Sequence, residues 1–408
     1  MVNEIGSNNQ AVIERLLPHV QREMQIYDVI AGGRKDGYTA RFRGLIFRDP
    51  QEAFDRLEPI FKKEGMTLIF RTEGEDHLVL AIQGVIEPRP SNPWVNLGVF
   101  VLTLLSVVLA GAIYAYDGPV GADLQTTIRY ILNNYTSGLP FAISLLAILV
   151  AHESGHYLAA RYHGTAVSLP FFIPFPGSPF GTMGAFIQLK EPPRNRRTLL
   201  DIGLAGPIAG LIVAIPVLLI GLSLSEVGQL PNGADAPIGF SLEGNSVLYL
   251  AIKYFSKGEL LPAPVDYGNV SPVWYWIRYV FTGTPTPFAG RDVLLHPIAW
   301  AGWAGLLVTS LNLIPVGQLD GGHASYVLLG RRARLVWPII ILGLVALGWV
   351  WNGWWLWAAL LFLLGRRSAQ PLDEITPLDG KRKALAVLGI LLFLIVFIPV
   401  PLRNIGGF

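Results

Sequence analysis

Residues 148–164 read ILVAHESGHYLAARYHG. A stretch apolar enough to lie in a membrane ends in two histidines and a glutamate: His152, Glu153 and His156. On an α-helix, residues four apart share a face, so both imidazoles point the same way and the glutamate sits beside the first. In H-E-x-x-H sites of this kind the two imidazoles bind zinc and the glutamate is the base toward an activated water. The motif is short and also arises by chance. The competing reading is a pair of packed histidines near a glutamate that snorkels to the interface. Ionisable groups inside a bilayer are costly and as a rule functional, which favours the metal.

The rest of the chain has the character of that stretch. Of its 408 residues 52% are hydrophobic and only 15% are charged, where soluble domains carry about a quarter. Mean hydropathy is +0.45. The formal charge of +2, from 31 basic and 29 acidic residues, gives no basis for a nucleic-acid partner. There is no cysteine, so disulfides and thiolate ligands are excluded and the redox compartment is left open. Glu4, Glu14 and Arg15 flank no apolar core, so no cleavable signal peptide is expected.

Runs free of Asp, Glu, Lys and Arg cover 94–116, 202–225, 293–319, 335–365 and 384–402, and 139–162 is interrupted only by Glu153 and Arg161. Each is about long enough for a helix of ~20 residues to cross ~30 Å of hydrocarbon. The run 335–365 exceeds one span, and WVWNGWWLW (349–357) at its middle has a turn signal at Asn352-Gly353, so it reads as a hairpin of two short spans. Residues 1–90 differ. RFRGLIF (41–47), MTLIFRTE (66–73) and DHLVLAIQG (76–84) read as strands, and 49–65 as a helix capped by Asp49 and closed by Gly65. EPRPSNP (87–93) is a linker. The expected fold class is a mainly α-helical polytopic membrane protein of about six to seven transmembrane helices. A small N-terminal α/β domain (1–90) precedes a membrane domain (91–408) whose catalytic core is about 139–330. Three basic clusters follow or precede spans: Arg194, Arg196 and Arg197; Arg331, Arg332 and Arg334; and Arg366, Arg367, Lys381, Arg382 and Lys383. One threading puts all three in the cytoplasm with the N-terminal domain, and leaves 226–292 and the C-terminus outside. The expected location is the cell membrane, multi-pass.

A catalytic zinc usually has three protein ligands and an open position. His163 lies ~10 Å further along the helix than His156 and reads as interfacial. Glu191 adjoins Pro192, Pro193 and Arg194 in an apparent surface loop. Asp320, in SLNLIPVGQLDGGH (310–323), is the better candidate. It is a carboxylate at the end of a span on the same side as the histidines, and Pro315 and Gly321-Gly322 imply an unwound chain. Read by spacing alone, Asp320 as a helix cap competes with this.

With His152-Glu153-x-x-His156, DIGLAGPIAG (201–210) and LDGG (319–322) in this order, the chain resembles the site-2 proteases, intramembrane zinc metalloproteases. It looks closest to the bacterial and plant-plastid branch with an extra N-terminal domain. The resemblance implies Zn2+ held by His152, His156 and Asp320, Glu153 as catalytic base, and Asn312 facing the active site. It also implies a transmembrane protein as substrate and the bilayer as partner. No PDZ-like segment accompanies these motifs, so filtering by such a domain is not expected. Gly206 and Gly210 form a small-xxx-small pair suited to close helix packing. Residues 165–189 are expected either to form an extended hairpin beside the metal, offering a strand edge to substrate, or to be a structural re-entrant loop. His323 is a possible support for the site, and His296 reads as interfacial. Two other functions remain open: a divalent-metal transporter, since intramembrane His and Asp suit ion pathways, and an inactive protease-like scaffold. Substrate identity and oligomeric state are not legible.

Overall fold

The structure is a computed structural model describing residues 2–33, 36–118, 123–232, 236, 240–366 and 369–405. Arg367 of the third basic cluster lies outside the described residues. The chain begins with α1 (Val2–Val20), β1 (Met24–Ala31), β2 (Ala40–Ile46), α2 (Pro50–Lys63), β3 (Met66–Glu73) and β4 (Asp76–Gln83). The strands form one antiparallel sheet in the order β1-β2-β4-β3. Alternation along the strands turns Phe42, Leu68, Phe70 and Val79 to one face, where they meet Leu16 and Val20 of α1 and Phe54, Leu57 and Phe61 of α2. Phe54 and Phe70 meet edge to face at 5.1 Å. Asp49 caps α2, its carboxylate accepting from Gln51 N–H at 2.8 Å, as its position before Pro50 predicts.

The remaining elements are α3 (Pro93–Tyr114), α4 (Leu124–Asn133), α5 (Leu139–Tyr162), β5 (Phe171–Pro174), β6 (Thr182–Phe186) and α6 (Arg196–Ser223), then β7 (Glu226–Gln229), β8 (Ser241–Glu243), α7 (Val247–Lys257), α8 (Pro272–Thr282), β9 (Arg291–Leu294), α9 (Pro297–Asn312), α10 (Asp320–Leu329), α11 (Val336–Leu347), α12 (Gly353–Leu364), α13 (Gly380–Val396) and β10 (Leu402–Asn404). Pro93–Tyr114, Tyr135–Tyr162 and Arg196–Ser223 are long and apolar enough to cross a membrane. The other apolar runs give shorter helices. In 293–319 the helix has 16 residues, because the chain leaves it at Leu313, where Pro315 lacks an N–H and Gly317 takes a φ of +63°. The run 335–365 is a helical hairpin, as Asn352-Gly353 signals, but its arms of 12 residues each reach only ~18 Å. In the last run α13 ends at Val396 and the chain continues without helix to β10.

The core of the helical body is α5 against α6 and α9, with Leu145, Leu149, Leu200, Leu211, Trp303 and Ala304 buried among them. Between α5 and α6, β5 and β6 pair as an antiparallel hairpin that lies along α3. Asn96 of α3 donates to the Leu169 and Pro170 carbonyls at 3.0 Å, and Ser106 donates to that of Gly181. These two buried side chains add hydrogen bonds to hairpin carbonyls, that of Gly181 also accepting from the Phe175 N–H, and irregular backbone among membrane helices needs such partners.

A strap before α13 joins the sheet to the helical body. Leu372 accepts from the Phe70 N–H, and Glu374 N–H donates back to Phe70. On its other side the strap donates from Leu372 and Asp373 to Pro193 and Arg194. Around it Arg194 pairs with Glu58, and Arg197 donates to Gln51.

Candidate metal centre

Helix α5 carries His152 and His156 one turn apart, and α10 begins at Asp320. The His152 and His156 Nε2 atoms lie 3.2 Å apart, and one Asp320 carboxylate oxygen is 3.3 Å from the first and 3.4 Å from the second. Ligand atoms at ~2.0–2.1 Å from a tetrahedral zinc are ~3.3–3.4 Å from one another. The three atoms therefore describe one face of such a tetrahedron. All three residues are buried or nearly so.

The donor set also suits a cation. The His156 Nδ1 is 2.7 Å from the Ile202 carbonyl, which can only accept, so Nδ1 carries the hydrogen and Nε2 can offer a lone pair to the centre. Helix α6 meets this pair with bare backbone. A Cβ on Gly206 would stand 2.0 Å from His156 Nε2, and one on Gly210 would stand 3.1 Å from His152 Nδ1. The small residues expected to serve helix packing do so here against the imidazoles themselves.

Asn312, the last residue of α9, has its amide nitrogen 3.4 Å from His152 Nε2. Glu153 is buried on α5, with the backbone of Ile187, just past β6, near its carboxylate. The hairpin of 165–189 is thus beside the cluster, with Glu153 next to its outgoing strand. The other sequence candidates lie elsewhere. His163 pairs with Asp201 at 2.9 Å, and Asp201 is held by Arg382 at 3.0 Å. Glu191 accepts from the Ala166 N–H, and His296 caps α9. His323 lies with its ring against Gly203, and its Nδ1 is buried with no hydrogen-bond partner among the described residues. Two contributors escaped the sequence reading, the Ile202 carbonyl and the backbone of Ile187. No residue type announces either.

Residues 140–338 match peptidase family M50. The chain carries an M50 peptidase domain. This is the site-2 protease family that its motifs resemble. The matched segment contains His152, Glu153, His156, Asn312 and Asp320. Among curated relatives, the probable zinc metalloprotease EGY1, chloroplastic, of Oryza sativa subsp. japonica is 29% identical over 331 residues, covering 77% of this chain and 52% of its own. The probable zinc metalloprotease EGY2, chloroplastic, of Arabidopsis thaliana is 28% identical over 380 residues, covering 90% of this chain and 61% of its own. The chain spans about half the length of the first of these relatives. No solved structure matches. The M50 domain thus encloses the whole cluster, while the sheet of β1–β4 lies ahead of it.

Proposed function

We propose that the protein is an intramembrane zinc metalloendopeptidase that hydrolyses peptide bonds within or near transmembrane segments of other membrane proteins. One observation carries this reading: three ligand atoms from α5 and α10, 168 residues apart in sequence at their outer members His152 and Asp320, converge at 3.2–3.4 Å beside a buried glutamate. His152, His156 and Asp320 would hold the ion. When bound, zinc supplies Lewis acidity, making water a competent nucleophile near neutral pH. Glu153 takes the proton of the attacking water and returns it to the leaving amine. Asn312 donates a hydrogen bond to substrate at the point where negative charge develops. A substrate helix hides its peptide groups in its own hydrogen bonds, so it must unwind at the site. The edge of the β5–β6 hairpin offers main-chain partners to the unwound segment.

In this reading residues 1–90 fold as a cytoplasmic domain and 91–408 as the membrane domain, with its catalytic core at about 139–330. The shorter helices α9, α11, α12 and α13 join the three long ones to give six or seven embedded helices. The relatives' names describe chloroplast proteins; for this chain we read a multi-pass protein of the cell membrane. Single cysteines at Glu75 and Asp266 test the threading in this cysteine-free chain. An impermeant reagent added outside should label position 266 and spare position 75, and the reverse pattern inverts it.

The activity is tested with purified protein and a model transmembrane substrate. Cleavage should stop with chelator and return with added zinc. Chelator-resistant cleavage rejects the metal mechanism. Metal uptake into sealed vesicles without any cleavage would favour a transporter.

A further inference from the structure

Behind the turn that leads to Asp320 lies a cavity of about 220 Å³. Its walls come from Pro315–Gly317, Gly322 and Ser325 on one side, and from Arg334, Trp337 and Arg366 on the other. No carboxylate among the described residues lines it. Arg366 lies over the rings of Trp337 and Phe362, at 5.3 Å and 4.5 Å, and Arg334 donates to the Arg331 carbonyl at 3.3 Å. Among the described residues neither guanidinium has a carboxylate within 4.0 Å, whereas the neighbouring Arg331 reaches Glu374. Two arginines thus border this cavity with no counter-ion among the described residues.

The cavity opens where the apolar hairpin of α11 and α12 begins and ends. The outer faces of these helices are bare hydrocarbon, with Ile339 67% and Leu363 73% exposed. Trp337 stands at the junction, the position that indoles favour at a membrane–water boundary. We propose that this cavity binds the phosphate-bearing headgroup of an anionic phospholipid. Guanidinium groups suit phosphate because their planar forks donate two hydrogen bonds to its oxygens. A volume of this size holds several waters, enough for a phosphate and a small polar group. The acyl chains would lie along the exposed apolar faces of α11 and α12. That continuity between a basic cavity and a greasy flank selects a lipid over a soluble phosphate.

The cavity and the metal cluster share a wall. Gly317 and Gly322 approach so closely that a Cβ on Gly322 would stand 2.6 Å from the Gly317 carbonyl, and Gly317 in turn abuts Gly365 at the end of α12. A headgroup seated there would brace the turn that delivers Asp320. Lipid retention does not depend on proteolysis, so failure of this proposal leaves the protease reading untouched, and the converse also holds.

The experiment uses the full chain reconstituted in mixed phosphatidylcholine and phosphatidylglycerol vesicles, extracted in detergent, and examined by native mass spectrometry for retained lipid. Phosphatidylglycerol should be kept in preference to phosphatidylcholine. The R334Q/R366Q double variant should lose about five-fold per arginine, on the order of 25-fold in all. R129Q, on α4 and away from the cavity, should behave as wild type, and R334K/R366K, which keeps the charge and loses the planar forks, should fall between wild type and R334Q/R366Q. Thermal unfolding in phosphatidylcholine alone should be the same for every variant, which separates lost binding from lost folding. Equal phosphatidylglycerol retention by wild type and R334Q/R366Q overturns the proposal. Displacement of the lipid by low concentrations of inorganic phosphate overturns the lipid assignment in favour of a soluble phosphate ligand.

Discussion

At the two ends of α9 the chain buries carboxylates in different company. Before its start, Asp292 and Glu243 share the ammonium of Lys253, at 3.6 Å and 3.2 Å. Lys253 is wholly buried and lies 4.6 Å from the centre of the Tyr249 ring, and the Tyr249 hydroxyl donates to Glu243. Beyond its end, Asp320 faces two imidazoles, with no lysine or arginine within 4.0 Å among the described residues. An ionised carboxylate taken out of water costs several kcal/mol unless a counter-charge meets it. In the first cluster the chain supplies that cation covalently, and the carboxylates close around it. In the second the side chains offer only ligand atoms, turned on a common point. The difference separates a structural ion pair from the place where we propose a cation from solution is held.

The largest expected effect tests the chemistry of the second cluster. Glu153→Gln should lower the cleavage rate by about 10²–10⁴-fold, the range for a lost general base, while metal measured in the purified protein stays at the wild-type level. Loss of metal would make Glu153 part of the ligand set, and an unchanged rate would remove it from catalysis. Next comes the lysine. Lys253→Met should destabilise the protein by roughly 3–5 kcal/mol, because it leaves buried carboxylates without their cation. Retained metal content with a lowered unfolding temperature would fit the comparison; unchanged stability would break it. Asp320→Ala should weaken metal binding by more than the ~10–100-fold cost of losing a mere supporting partner. His163→Ala should leave the metal in place, since its ring is committed to Asp201. If the two variants behave in the opposite way, the third ligand has been assigned to the wrong helix.

The remaining effect is a pH dependence. Burial pushes the Asp292 carboxyl up to about 7, against the pull of Lys253 and with the help of Glu243. The folded state therefore holds this proton at pH values where the unfolded chain has released it. The stability it contributes is complete below the unfolded pKa of ~3.9 and is lost as pH rises toward about 7. The unfolding temperature of wild type minus that of Asp292→Asn should fall across this window. A flat difference would mean that Lys253 keeps Asp292 ionised throughout.

Much of the second cluster was legible because its information is local. The four-residue spacing of His152 and His156 states their shared face, and Pro315 announces the broken helix that brings Asp320 round, whereas Gly321-Gly322, read as unwound chain, lie inside α10. For 165–189 the alternation and prolines left a hairpin and a re-entrant loop open, and the pairing of β5 with β6 shows the hairpin. The first cluster left no such trace. Lys253 sits in an ordinary amphipathic helix, and only the fold brings it to Glu243 and Asp292 from two other elements. Helix α1 also went unread, although Val12, Ile13, Leu16 and Val20 form its buried stripe, because its polar residues mask that period. Span lengths misled for a different reason. Absence of charge marks hydrocarbon, whereas helix length depends also on backbone breaks such as the one after Asn312.

The strap has a consequence for the order in which the molecule is made. The sheet of β1–β4 can assemble as soon as its own residues exist, yet its outer strand β3 meets its last neighbour only at Leu372, about 300 residues later. At ~5–20 residues per second of synthesis, that edge stands open for ~15–60 s while the helical body is being threaded. During this interval the backbone of Phe70 and the guanidinium of Arg71 are free to be met by a chaperone or by a neighbouring chain. The docked state is sealed from the far end of the sequence.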